Sequence, residues 1–154
     1  MTMLNMSSEM DQAPQDLDWV TARAECTIRS MFKRLRREIE VDVTMRNKQL
    51  NQSQKASGAN FSVKDEDDEA FAVLDDGLGR SVSFMIIGSG IKAIAVGQVA
   101  IEATIGMNDS GRCMLRVPKG DNSGKITGHC EIETWQFRKK TLESLFFPNA
   151  SLVG

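Results

Sequence analysis

The apolar positions at the start of the chain predict a long helix. Pro14 suits the first turn of a helix, and Asp16 and Asp18 follow near its positive end. Apolar residues then recur at steps of three and four, which places them on one stripe of the helix. They are Leu17, Val20, Ala24, Ile28, Met31, Phe32 and Leu35. We expect this helix to end near Arg37 and its stripe to cover the sheet.

A change of period predicts a strand directly after this helix. In residues 39–45, Ile39 and the alternate positions after it are apolar, whereas the positions between them are polar. Period two is typical of a strand with one buried face. The following segment 47–60 is rich in Asn, Gln and Ser, and it predicts a loop or a frayed strand end.

The remainder of the chain has the pattern of an antiparallel meander that a helix closes. Short alternating segments are separated by turns rich in Gly, Asp and Asn. The predicted strands are 69–74, 81–87, 113–117 and 125–133, with Val82, Phe84, Ile86, Cys113, Leu115, Val117, Ile126, Cys130 and Ile132 facing inward. Residues 134–147 predict a C-terminal helix, which Pro148 stops.

The sequence Gly88-Ser89-Gly90 has the composition of a phosphate-binding loop. Such a loop needs a helix after it, because the free N–H groups of the helix N-terminus hold the phosphate. The segment 91–107 instead carries apolar or small residues at its odd positions, which is period two. We therefore predict a three-residue hairpin loop followed by a strand, and no nucleotide site.

The segment 91–107 is too long for one straight strand in a small domain. At about 3.3 Å per residue it would extend for roughly 56 Å. Gly97 must therefore bend the strand or divide it in two through a Gly-Gln turn. The unbroken odd–even alternation favours the bend. Small residues between positions 93 and 103 would leave room above this face for a helix or a ligand.

Together these elements predict an α+β fold. A long N-terminal helix and a C-terminal helix would pack on one face of an antiparallel meander sheet of about five strands. We expect residues 1–13 to be a disordered tail, residues 14–148 a single domain and residues 149–154 a short C-terminal tail. The alternation of the last strand predicts that the opposite face is polar, and either wet or in contact with a partner.

The composition argues against nucleic acid and membranes as partners. The 154 residues are 41% hydrophobic and 26% charged, with a net charge of −2, so they have no general attraction to polyanions. The basic residues at 29–37 adjoin Glu38 and Glu40, which favours a solvated helix end over a nucleic-acid site. Polar residues interrupt the longest apolar stretch, so we expect no membrane-spanning segment.

The cysteines limit the choice of compartment and metal chemistry. Cys26, Cys113 and Cys130 are an odd number at wide spacing, without the pattern of a zinc site. The N-terminus lacks the basic and apolar regions of a signal peptide. We therefore expect reduced thiols, a cytoplasmic location, and neither a metal nor a cofactor.

One row of polar positions is a candidate for chemistry. His129, the single histidine, alternates with Glu131 and Glu133 on the outward face of the last predicted strand, and Lys92 and Glu102 are polar positions of segment 91–107. Such groups could carry acid–base chemistry or hold a metal. An exposed polar face is the commoner arrangement, and no Ser/His/Asp set is recognisable. The sequence therefore identifies no catalytic residue and favours a non-catalytic protein.

The second candidate is an interface on the N-terminal helix. Trp19, Ala22 and Cys26 lie opposite the stripe that contains Ile28. If that stripe covers the sheet, these residues need another surface, and aromatic anchors are enriched at the centres of interfaces. The alternative, equally open, is that Trp19 lies over a loop or tail of its own chain.

These expectations favour a non-catalytic cytosolic binding domain that self-associates. We expect a homodimer or larger assembly in which a second chain buries Trp19. The alternative is a small-ligand carrier or a small enzyme, with a pocket between the helix and the bent sheet near residues 93–103. A nucleic-acid-binding protein is the least favoured class.

Overall fold

The structure is a computed structural model that describes residues 16–56 and 58–148. The tails expected at 1–13 and 149–154, and the helix start at Pro14, lie outside these residues. The helices are α1 (Trp19–Glu25), α2 (Ile28–Gln49), α3 (Gln52–Ala56) and α4 (Thr134–Phe146). The strands are β1 (Phe61–Asp67), β2 (Ala70–Asp75), β3 (Arg80–Ile87), β4 (Gly90–Ala95), β5 (Ile101–Met107), β6 (Cys113–Gly120) and β7 (Ile126–Ile132).

The strands form one antiparallel sheet in which each strand pairs with the next along the chain, from β1 to β7. Helices α2 and α4 contact each other and pack on the same face of the sheet. The predicted α+β fold is confirmed, with more strands than expected. The sequence pattern does not reveal β1, because Phe61 and Val63 are its only apolar residues.

The prediction of a strand at residues 39–45 is wrong, because α2 continues through this segment to Gln49. Ile39 and Val43 are buried, whereas Val41 and Met45 are exposed. Positions four apart share a face in a helix and in a strand, but positions two apart share a face only in a strand. A helix and a strand over this segment therefore differ in whether Val41 and Met45 are buried, and the residue types alone do not show this.

The prediction of one unbroken N-terminal helix is also wrong. The helical conformation stops after α1, and α2 begins with Thr27 as N-cap, whose hydroxyl oxygen accepts a hydrogen bond from the Ser30 N–H at 3.2 Å. Leu17 and Val20 are 51% and 60% exposed, so they do not cover the sheet. Of the predicted N-terminal stripe, the part that joins the core therefore lies within α2.

A chain of phenylalanine rings links the helices to the sheet. Phe32 of α2 lies 5.1 Å from Phe71 of β2, measured between ring centroids, and Phe71 lies 5.0 Å from Phe84 of β3. Phe84 in turn lies 6.4 Å from Phe137 of α4. Burial of side chains of this size is the main stabilising contribution, about 1.5–3 kcal/mol each relative to exposure.

The turn at Gly88 and Ser89 is followed by a strand and not by a helix, as predicted. It is one residue shorter than the predicted loop, because Ile87 already pairs with Gly90. Gly88 has a φ of 60°, whereas no described non-glycine residue has a positive φ, so Ser89 is not left-handed. A glycine in this conformation at the first position is typical of a type II′ hairpin turn.

The prediction of one bent strand at residues 91–107 is wrong, because a turn at Gly97, with a φ of 79°, separates β4 from β5. In this hairpin Ile91 pairs with Ala103, and Ala93 pairs with Ile101. Directly paired residues share a face. The odd-numbered residues of both strands therefore lie on one face of the hairpin, so a hairpin gives the same odd–even alternation as a single bent strand.

The inward face predicted for the last strand holds for Ile132 alone, which is buried. Ile126 is 61% exposed and Cys130 is exposed, so the helices do not cover the first part of β7. The C-terminal helix is confirmed as α4, which ends at Phe146, shortly before Pro148.

The expectation of reduced thiols is wrong for two of the three cysteines. Cys26 and Cys113 form a disulfide, with their Cα atoms 5.4 Å apart. This bond joins the residue after α1 to the first residue of β6, across a sequence separation of 87 residues. Cys130 remains free and exposed.

Candidate functional site

The helix α1 carries the residues of the predicted interface. Trp19 is 65% exposed, Ala22 is half-buried, and Cys26 is buried by its disulfide position. No residue of α1 is buried. Asp18 caps the helix by accepting a hydrogen bond from the Thr21 N–H at 3.0 Å, which holds the pKa of Asp18 below its usual value. Of the three predicted residues, Trp19 is therefore the one available to a partner.

Few contacts attach α1 to the rest of the molecule. Besides the disulfide, Leu17 occupies the space that a side chain at Gly111 would need, in the turn before β6. We call Leu17, Trp19 and Val20, which are all more than half exposed, the α1 surface. It is an apolar surface on an element that the sheet anchors at one end.

The polar row predicted on the outward strand face is partly assembled. His129 and Glu131 of β7 and Glu102 of β5 lie on the open face, by which we mean the sheet face directed away from α2 and α4. Arg116 lies 3.4 Å from Glu131, and Lys92 lies 3.7 Å from Glu102. Both carboxylates thus have basic neighbours on adjacent strands. The arrangement is that of laterally paired surface charges and not of a converging acid–base pair.

Glu133 does not belong to this row. It follows the end of β7 and is the N-cap of α4, where it forms a capping box with Gln136. Its carboxylate also lies 3.0 Å from Arg112. The residue therefore starts a helix, and the alternation that grouped it with His129 stops at Ile132.

The open face is less polar than predicted. The part formed by β2 to β4 carries Ser81, Ser83 and Lys92 but is otherwise largely apolar. The apolar residues there are Ala70, Ala72, Leu74, Met85, Ile87 and Ile94, of which all but Ile87 are buried or half-buried.

The space predicted for a ligand between helix and sheet is filled. Ala93 and Ala103 are 3% and 2% exposed and belong to the core cluster with Leu35 and Ile39 of α2. Small residues at these positions let the helix approach the sheet closely, as close packing requires. These residues therefore do not form the pocket that the small-ligand carrier would need near residues 93–103.

A groove lies instead between α2 and α4, with a volume of about 420 Å³. Met45 and Trp135 line it and are each more than half exposed. Its charged groups are engaged with one another, since Arg138 donates to both carboxylate oxygens of Asp42 at 2.7 Å. Groups already paired in this way offer no evident acid or base to a substrate.

The basic stretch on α2 is largely neutralised by carboxylates. Arg36 donates hydrogen bonds to Asp65 of β1 at 2.6 and 3.0 Å, and Arg29 contacts Glu69 at 2.5 Å. The hydrogen bond from Arg36 holds the pKa of Asp65 below its usual value and raises that of Arg36. These contacts fix α2 to the first strands of the sheet.

Neither a metal-binding cluster nor a membrane-spanning helix occurs among the described residues. Within residues 16–56 and 58–148, no three His, Cys, Asp or Glu side chains are grouped so that they could hold a metal ion. Among the described helices, none combines the length and the apolar character needed to cross a bilayer.

The two edge strands of the sheet differ in how their outer sides are treated. On β1, Asn47 of α2 accepts a hydrogen bond from the Phe61 N–H and donates one to the Phe61 carbonyl, both at 2.9 Å. The register of β1 with β2 is regular from Phe61 to Asp65 and shifts between Asp65 and Asp67. β7 pairs with β6 alone among the described strands, and its register is regular from Gly128 to Ile132 and shifts between Ile126 and Gly128.

Several of these contacts have no signal in the sequence. Asp42 and Arg138 are separated by 96 positions and Cys26 and Cys113 by 87, and spacing does not reveal such pairs. Asn47 stands in a segment whose composition predicts a loop. Comparison of the chain with family models, with curated proteins and with solved structures finds no match.

Proposed function

We propose that this protein is a non-catalytic binding domain that self-associates, with the α1 surface in the contact. The observation that supports this proposal most is that α1 buries none of its residues although the disulfide ties it to the sheet. A helix of this length is marginal in water on its own. A helix that is attached to its own sheet by a disulfide but does not pack on it can pack against the surface of a second chain.

Trp19 is the residue on which the proposed contact depends most. Its ring is 65% exposed, and Leu17 and Val20 extend the apolar surface around it. Aromatic residues are enriched among those that dominate binding energy, because they bury a large area and lose little conformational freedom. The α1 surface alone is smaller than the roughly 800 Å² per partner of a standard interface, so other residues must contribute.

Substitution of Trp19 by Glu tests this role. We expect light scattering to give the mass of an assembly for the wild type and a lower mass for Trp19→Glu at equal concentration. Trp135→Glu is the matched control, because Trp135 is also more than half exposed but lies on α4. A wild type that is monomeric at high concentration contradicts the proposal, as does an assembly that only Trp135→Glu weakens.

A cytoplasmic location remains part of this proposal, as the sequence predicts it. The disulfide between Cys26 and Cys113 weighs against it, because such bonds are rare in reducing compartments. Lysis of cells under denaturing conditions with an alkylating reagent, followed by mass spectrometry of the chain, distinguishes the two states. Three alkylated cysteines per chain support the cytoplasmic location, whereas one, at Cys130, contradicts it.

A further inference from the structure

We infer that a second copy of the chain pairs antiparallel with the outer edge of β7, with Cys130 on the twofold axis, so that two sheets become one. This inference rests on the proposed self-association and identifies a surface that could supply the area that the α1 surface lacks. Both surfaces adjoin β6, since α1 is tethered to Cys113 and β7 pairs with β6.

The outer side of β7 is available for such pairing. The strand is last in the sheet, and of its residues only Ile132 is buried. An edge strand presents backbone N–H and C=O groups in the spacing that another strand requires. Of the features that protect edges, lysine, proline and a register shift do not occur between Gly128 and Ile132, where Glu131 is the one acidic side chain.

The regular segment Gly128–Ile132 is five residues long, and Cys130 is its centre. A twofold axis through Cys130 pairs each residue with the one equally far on the other side. Glu131 then lies opposite His129 of the second copy, and the same contact occurs twice. Register within an antiparallel pair is set by such side-chain matches.

The charges favour this register over its neighbours. An axis through Glu131 would place two carboxylates opposite each other, which is unfavourable. An axis through His129 would place Glu131 opposite Thr127, where the register of β7 with β6 is interrupted. In the register centred on Cys130, the imidazole N–H of His129 can donate to the carboxylate of the opposite Glu131.

The opposite side of the paired strands also has room for this register. There Ile132 lies opposite Gly128 of the second copy. A side-chain carbon built on Gly128 meets no atom within 4 Å, so the space beside it is open to an isoleucine. Cys130, free and exposed, faces its own copy on the same side.

A charge exchange tests the register. His129→Glu opposes two carboxylates across the axis, and we expect the dimer dissociation constant to rise about tenfold. Adding Glu131→His to this variant restores an acid–imidazole pair in the exchanged order, and we expect most of the affinity to return. Glu102→His is the matched control, because Glu102 lies on the same face but two strands from the edge.

Cross-linking provides an independent measurement. Opposite Cβ atoms in antiparallel strands lie about 4.5–5.5 Å apart, within reach of a short bis-maleimide. With Cys26 and Cys113 oxidised, Cys130 is the free thiol of the described chain. We expect a covalent dimer in the wild type, less of it in His129→Glu, and none in Cys130→Ser.

The outcomes separate this inference from the proposed function. An assembly that Trp19→Glu weakens, but that His129→Glu leaves unchanged and that bis-maleimide does not cross-link, retains self-association and overturns pairing through β7. A monomeric wild type overturns both. Loss of the dimer in His129→Glu without recovery in the double variant also overturns the register, because a general loss of surface complementarity would account for it.

Discussion

The two edge strands of the sheet, β1 and β7, differ in what contacts the side that has no neighbouring strand. On β1, the N–H and carbonyl of Phe61 are bonded to Asn47 of α2, and the side chain of Asp65 is bonded to Arg36. Each edge strand has one register shift beside five regular residues, but among the described residues no helix side chain is bonded to the backbone of Gly128–Ile132 in β7. Since unprotected edges promote pairing with other chains, this contrast is the reason for proposing pairing through β7 and not through β1.

The difference follows from the position of α2. This long helix packs on β1, and its side chains bond to Phe61 and Asp65, the two ends of the regular part of β1. At the other side of the sheet, a disulfide holds the end of the short α1 to the first residue of β6. A packed helix covers an edge, whereas a tethered helix leaves both itself and the neighbouring edge exposed.

The largest expected effect compares one apolar residue from each edge strand. Phe61 of β1 is buried and lies 4.9 Å from the ring of Phe146, whereas Ile126 of β7 is 61% exposed. We expect Phe61→Ala to lower the free energy of unfolding by about 3–5 kcal/mol. Ile126→Ala should change it by less than about 0.5 kcal/mol. Urea denaturation at low protein concentration measures both, and equal losses would contradict the asymmetry.

The next effect concerns the tether. Replacing Cys26 and Cys113 together by Ser removes a cross-link between distant positions, and we expect a loss of about 2–4 kcal/mol of unfolding free energy. Cys130→Ser is the control and should stay within about 0.5 kcal/mol, because Cys130 is exposed and makes no disulfide. A double Ser variant as stable as the wild type would show that α1 is held by other contacts.

The smallest effect concerns the charge contact that joins α2 to β1. The pKa of Asp65 is lowered chiefly by the hydrogen bond from Arg36, so Arg36→Gln should raise it toward its usual value. A lowered pKa stabilises the fold above the unfolded-state pKa, and this contribution disappears as the pH falls through the folded-state pKa. We therefore expect a shallower loss of stability below about pH 4 in Arg36→Gln.

Carboxyl NMR titration measures the pKa of Asp65 directly. Arg29→Gln is the matched control, since Arg29 is paired with Glu69 on the same side of α2. A pKa of Asp65 that is unchanged in Arg36→Gln, or that shifts equally in both variants, would show that the contact with Arg36 does not fix this edge.

The local elements were predictable where periodicity and capping agree. The helical period of Ile28 to Leu35, the C-terminal helix, the hairpin at Gly88 and the alternation of β3 and β6 all appear in the structure. Each depends on contacts between residues near in sequence, so the order of residue types is sufficient. The roles of Trp19 and His129 stay predictions, because they depend on what covers these side chains, which the order of residue types does not show.

The sequence by itself determined the α+β class, the meander order and the C-terminal helix, since these depend on local propensity and on short connections. The tertiary structure decided the state of residues 39–45, the pairing of Cys26 with Cys113 and the exposure of β7. A pattern shows which residues could share a face, but only the packed molecule shows which faces are covered. The free energy of burial belongs to the contact between distant segments and not to either segment alone.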